Sequence, residues 1–298
     1  MAIIIKGIQH LSIGMTILAL SVLFMFSSSS SDYADLVFLF QEFRDFQKPE
    51  IKNGVPDYTA AAMQKKHREL DTYKVRLAAI DTGSWPVSQE IDYQLVRAEM
   101  NGMDFYHRVL KPWSRDPVFY LPSQAGAGPV MQGFFMLRHV PFPLEEEEIP
   151  AFQEKLQAVP EIYKQAQINL TEAAGDLADI AIHYIDREAS LYERLAARLE
   201  EHHPELAPDA RRAREAVLQY GTWLEQNRVR MTAPAGIGIE NYNWWLKNVH
   251  LVPYTWEECR NIVEHEYDRI VTFLKLEEHR NRELPPLDVA ETAEEYYR

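Results

Sequence analysis

An apolar residue recurs every three or four positions through nearly all of the chain after Asp32. This 3.6-residue period favours helices packed on helices. Leu36, Leu39, Phe40, Phe43 and Phe46 form a first stripe, which Lys48-Pro49 ends. A second starts near Asp57 and carries Met63, Leu70, Leu77 and Ile80 up to the break at Gly83-Ser84-Trp85-Pro86. A third runs through Ile91, Leu95, Ala98, Gly102, Phe105 and Val109 and stops at Lys111-Pro112. Residues 112–143 interrupt the pattern with Pro117, Pro122, Pro129, Pro141 and Pro143 and with Gly126, Gly128 and Gly133. That stretch reads as an ordered long loop, with one or two short strands around 117–140. Helices resume over about Ala151–Ala158. Pro160 then opens a long helix to about Glu201, with Gly175 as a point of division. Another follows over about Asp209–Gln226. Thr255 and Glu258 have capping-box spacing and start a last helix, with Ile262, Tyr267, Ile270, Val271 and Leu274 on its apolar face. The fold class is all-α.

Composition narrows the function classes. Only 12 of 298 residues are glycine, which weakens any reading that needs glycine-rich cofactor loops. The single cysteine, Cys259, excludes a disulfide framework and a multi-cysteine zinc site. A net charge of -14 argues against a nucleic-acid partner. Residues Met1–Ser31 stand apart. Lys6 precedes the uncharged run Leu11–Phe26, five serines follow, and Asp32 and Asp35 come next. This segment reads as a signal peptide or as an uncleaved anchor over residues 7–26, with a buried N-terminal helix as a third option. No cysteine follows the run, which excludes a lipoprotein anchor. Either export reading places residues 32–298 in the periplasm or outside the cell, and an uncleaved segment makes the membrane a partner.

The chemistry-bearing candidates are few. Between Ala235 and Thr255 lie Trp244 and Trp245, with Trp256 just beyond, interleaved with Asn241, Asn243, Asn248 and His250. Aromatic walls with a few amide donors suit a pocket for a peptide or small ligand. A buried aromatic helix fits the same spacing. Glu172, Asp176, Asp179, His183 and Asp186 share one helix face, either as metal ligands or as a solvated acidic surface. His202-His203 sits at a helix end before Pro204. His265-Glu266 lacks a second histidine, because the required position is Arg269, and no HExxH occurs in the chain. Cys259 lies early in the last helix, where a thiol is either activated or simply part of a core.

The stretch GIGIENYNWWLKNVHLVPYTWEE, with the later FLKLEEHRNRELPPL, resembles bacterial family 885 of domains of unknown function. IDTGSWPVSQEIDYQLVRAEM and KLQAVPEIYKQAQINL resemble it too. The likeness covers nearly all of residues 32–298 and is most specific over 236–286. It implies a largely helical, metallopeptidase-like protein, about twice as long at full length, whose HExxH-type zinc helix lies in the C-terminal half. This chain aligns with the N-terminal half, so no zinc ligand or catalytic Glu is carried onto its residues. The resemblance implies zinc for the full-length family and no cofactor within this chain. It points to Tyr242, Trp245, Asn248 and His250 as substrate-side residues.

Two function classes follow. The first is the cleft-forming, N-terminal part of an exported zinc-peptidase-like hydrolase, inactive alone, with a peptide substrate and a C-terminal catalytic half as partners. The second is a stand-alone, non-catalytic, membrane-anchored helical scaffold. A metal-binding protein built on the Asp176/His183 stripe is a third.

Overall fold

The computed structural model describes residues 33–121 and 141–285, together with Thr292 and Tyr296. The expected export segment lies outside these residues, as does most of the 117–140 loop. The chain divides into two compact units, residues 1–235 and 236–298. Helices account for nearly all regular structure among the described residues, as the apolar period requires.

In the first unit, α1 (Tyr33–Gln47) is followed by a hairpin of β1 (Ile51–Lys52) and β2 (Val55–Pro56). The strands pair antiparallel, Ile51 opposite Pro56 and Lys52 opposite Val55, and turn through Asn53 and Gly54, both at positive φ. Asp57 then accepts hydrogen bonds from the backbone and hydroxyl of Thr59. Thr59 in turn caps α2 (Ala60–Ala78) by accepting from the Ala62 amide. After the Gly83–Pro86 break comes α3 (Val87–Phe105). Leu36, Leu39 and Phe43 of α1, Leu70 and Leu77 of α2, and Val96, Met100 and Met103 of α3 bury one apolar cluster.

The stripe of α3 is met in part. Ala98 and Phe105 are buried as expected, but Ile91 and Leu95 are exposed, and Val96, Met100 and Met103 are buried in their place. The helix does not end as a regular α-helix but widens into a π turn, Tyr106–Leu110, which shifts the phase of its last residues. Short α4 (Pro112–Arg115) and a 3₁₀ turn (Pro117–Tyr120) follow. The Val118-Phe119-Tyr120 triplet is therefore helical; among the described residues the paired strands lie at 51–56, and the rest of the expected strand region lies outside them.

The second apolar cluster is built on α5 (Ile149–Asn169), α6 (Gly175–His202) and α7 (Ala207–Asn227). Pro160 sits inside α5 rather than opening a new helix. An interior proline costs about 3 kcal/mol. Leu156, Val159, Ile162 and Tyr163 on either side are all buried, and the gain from enclosing four large side chains exceeds that cost. The division falls at Leu170–Ala174, and Gly175 is the first residue of α6. There Ala174 and Ala233 form a parallel bridge, and Arg228 grips Asp179 with a two-pronged fork, 2.6 and 2.7 Å.

The second unit contains α8 (Ile239–Asn248) and α9 (Trp256–Arg280). The capping box forms as its spacing predicts. The Glu258 amide donates to the Thr255 hydroxyl at 3.3 Å, and the Thr255 amide donates to the Glu258 carboxylate at 2.7 Å. Among the described residues no helix is long and apolar enough to cross a membrane.

The close approach of α6 and α7 depends on Gly221. A Cβ there would lie 2.7 Å from Ile185 Cγ2 and 2.9 Å from Cγ1. Both atoms sit on a β-branched side chain with little freedom to move. Helix propensity favours alanine by about 1 kcal/mol, but overpacking a filled core costs about 1–3 kcal/mol. Gly221→Ala is expected to lower the urea unfolding midpoint; a midpoint at or above that of the unchanged protein would refute the close-packing argument.

Candidate functional site

A concavity among the described residues of the first unit grows out of the π turn. Proline disfavours the α conformation in the residue before it. Lys111, before Pro112, leaves the helix at φ 40°, and its amide donates to the Tyr106 carbonyl at 2.8 Å. A lysine in the left-handed region costs about 1 kcal/mol. Strained backbone and π turns both recur at functional sites.

The π turn directs His107 inward. Its ring is only 6% exposed, stacks on His67 of α2 with centroids 5.5 Å apart and planes 6° apart, and lies 5.1 Å from Trp113. His107 Nδ1 is buried without a hydrogen-bond partner. Burial, reinforced by the nearby charges of His67 and Lys66, pushes the imidazole down to about 4. His107 is therefore neutral at physiological pH.

One turn earlier, Asp104 is the hub of an ion network. His67 Nε2 lies 3.1 Å away, Lys74 Nζ 3.0 Å and Arg108 Nε 3.3 Å. Burial opposes ionisation of Asp104, but bonds from His67, Lys74 and Arg108 outweigh it and hold the carboxyl below its ordinary range. Lys111 Nζ meets the Glu172 carboxylate at 3.3 and 3.5 Å. His67, His107, Arg108, Lys111, Trp113 and Glu172 thus surround a cleft of about 710 Å³. That volume suits a small ligand.

Other sequence candidates are spoken for structurally. Glu172 pairs with Lys111 and Asp179 with Arg228, so two members of the acidic stripe are held in ion pairs. Buried His203 accepts the Leu144 amide at Nε2 (2.8 Å), while His202 stacks on Phe142. Among the described residues no three His, Cys, Asp or Glu side chains converge to hold a metal. Cys259 is half-buried and free.

In the second unit the four expected substrate-side residues all fall on α8 or just after it. Tyr242 stacks on Trp245 at 5.7 Å, and His250 lies 3.8 Å from the Trp245 ring. These three make a short aromatic ladder. Asn248 donates to the Trp244 carbonyl (2.9 Å) and closes the helix end. Asn243 accepts the Trp256 amide (2.7 Å), and Asn241 donates to the Ile237 carbonyl (2.8 Å), so these amides brace the backbone. Only Leu246 of α8 is buried, which rules out a wholly buried aromatic helix. The apolar residues expected on α9 are uncovered: Ile262, Tyr267, Ile270 and Leu274 are exposed, and the helix has no buried residue.

The sequence reading missed the cleft. Its signals were present in the Lys111-Pro112 helix stop and in His67 and His107, but 40 positions separate the histidines and no local period links them.

The model of a bacterial protein family of unknown function, DUF885, matches residues 44–278. No functionally curated protein matches the chain. Among solved structures, the chain is similar to a protein of unknown function from Shewanella oneidensis, proposed to be a lipoprotein. The TM-score is 0.63 at 14% identity, which speaks for a shared fold. The match covers 90% of this chain and 51% of that one, so this chain spans about half the length of the Shewanella protein.

The buried imidazole sets a pH dependence. An exposed histidine takes up a proton near 6.5, and folded His107 near 4. Between these values the unfolded chain binds a proton that the folded chain refuses, so stability falls as pH drops, by up to about 1.4 kcal/mol per pH unit. Asp104 adds its own loss only below that window. Urea midpoints taken from pH 7 to 4.5 should fall more steeply for the natural protein than for His107→Phe, which keeps the ring stack. Parallel profiles would show that His107 is not buried neutral.

Proposed function

The chain belongs to the bacterial DUF885 family, and from that premise we propose that it forms the substrate-cleft wall of an exported zinc-peptidase-like hydrolase. In this reading the HExxH chemistry comes from a second segment, and this chain is inactive alone. The observation that carries it is α9. Ile262, Val263, Tyr267, Ile270, Phe273 and Leu274 are each 47–67% exposed on a helix of 25 residues. An uncovered apolar face of this size marks a place where further protein docks. The coverage of half the Shewanella protein supports the same reading. Export is supported by the charge-flanked apolar run at residues 11–26 and by the proposed lipoprotein character of that structural neighbour.

Zinc in such an enzyme polarises the scissile carbonyl and activates water. The described residues of this chain do not fit a zinc site, because no three ligating side chains converge. Their part is to bind and orient substrate. The Tyr242–Trp245–His250 ladder offers flat apolar surface for a peptide side chain, and the amides bracing α8 hold that surface still. Rigid presentation lowers the entropic cost of positioning a substrate.

The test mixes the purified chain with the HExxH-bearing half of a family relative. Co-elution, with zinc-dependent peptide hydrolysis that neither piece shows alone, is expected. Ile270→Asp with Leu274→Asp, both at exposed positions, should abolish co-elution without unfolding the chain. A chain that stays monomeric and stable beside its proposed partner would favour the scaffold reading and refute this one.

A further inference from the structure

We propose that the cleft between α2, the π turn and the α5–α6 connection binds a small organic carboxylate with a flat apolar body. The carboxylate is held by Lys111 and Arg108, and the body lies against Met63 and Trp113. This assignment is independent of any hydrolase role.

Three independent observations meet in this cleft. The first is an unsatisfied polar group. Buried polar atoms are almost always paired, and leaving one unpaired costs about 1–3 kcal/mol. His107 lines the cleft, is 6% exposed, and has Nδ1 without a partner. The second is strain: Lys111 stands at φ 40° at the end of a π turn, on the wall of this cleft. The third is charge. The chain carries a net -14, yet Lys74, Arg108 and Lys111 here outnumber Asp104 and Glu172.

Glu172 shows which chemistry the cleft accepts. Its carboxylate already lies 3.3 and 3.5 Å from Lys111 Nζ. Both side chains are substantially exposed, 34% for Lys111 and 53% for Glu172. Exposed pairs of this kind are weak and exchange readily. An incoming carboxylate can take the place of Glu172 on Lys111 and approach Arg108, which lines the same cleft and whose Nε lies 3.3 Å from the Asp104 carboxylate. Charge-assisted bonds of this sort are the strong ones. Met63 and Trp113 supply the apolar wall, and Gln64, Ser114 and Thr171 supply neutral donors around the rim.

A cation or metal ligand would use Glu172 as an attractive partner, whereas a carboxylate competes with it. The two possibilities predict opposite effects from one substitution. Isothermal calorimetry on the full chain with phenylacetate as probe, and neutral phenylacetamide as control, separates them. Saturable binding of phenylacetate, with none of phenylacetamide, is expected. Lys111→Met should weaken binding at least about tenfold, the loss of one charge-assisted bond. Glu172→Gln should strengthen it, because the competing carboxylate is gone. Both positions are partly exposed, so folding should survive each change, and circular dichroism checks that it does. Absence of phenylacetate binding, equal binding of phenylacetamide, or weaker binding in Glu172→Gln would each overturn the proposal.

Discussion

The first unit hangs on a buried polar knot at the end of α5. Asn169 donates to the Tyr58 carbonyl at 2.8 Å and to the Tyr120 hydroxyl at 3.0 Å. Tyr120 passes its own proton to the Trp113 carbonyl at 2.6 Å. The amides of Glu172 and Ala174 then donate to the Ser114 and Arg115 carbonyls, both at 3.0 Å. Segments far apart in sequence are thereby pinned to one point: the entry to α2, the α4 region and the α5–α6 connection. The bonds of Asn169 and Tyr120 are buried, so each of those groups left unpaired would cost about 1–3 kcal/mol. The knot stabilises because it is complete, and it fixes the walls of the cleft above it.

That fixing explains how strain at Lys111 is sustained. A π turn and a left-handed lysine are each unfavourable in isolation. They persist because Pro112 forbids the regular helix, while Trp113 and Tyr120 anchor the chain that follows. Arg115 adds bonds to the Val109 and Pro234 carbonyls, at 2.9 and 2.6 Å, which tie the π turn to the end of the unit. The same anchoring presses His107 against His67 and Trp113, where burial keeps it neutral. Local strain and a shifted ionisation thus have one cause, the tertiary pinning of a short connection.

Much of this was legible in the sequence, and the reasons for the rest are physical. The helices were readable because burial of one stripe leaves a 3.6-residue trace, and the Thr255–Glu258 cap because its geometry is local. Pro160 misled because local rules price a proline without the four large side chains that bury around it. The face of α3 misled because its apolar residues lie on more than one side: Ala98 and Phe105 are buried, but Val96, Met100 and Met103 take the core beside them and leave Ile91 and Leu95 exposed. Asn53-Gly54 is a strong local hairpin signal, hidden between two helical stripes whose longer period dominates the sequence. The aromatic residues of α8 stand out in the sequence, but sequence cannot tell an amide that faces a ligand from one that braces a helix end. Asn248 and Asn243 are braces.

The two units also differ in how their apolar surface is resolved, and this bears on function. In the first, the large stripes of α1, α2, α5, α6 and α7 are enclosed, leaving no buried face in want of a partner. In the second, α9 keeps its apolar side chains exposed along its whole length and still has well-formed ends, with a capping box at Thr255 and basic residues in its last turn. Capping and i,i+3 ion pairs such as Glu266–Arg269 and Glu277–Arg280 contribute only tenths of a kcal/mol to about 1 kcal/mol each. In proteins most helical stability comes from packing of an amphipathic face rather than from propensity. A helix with this much uncovered apolar surface gains most by packing on something else, and that surplus makes α9 the natural seat for further protein.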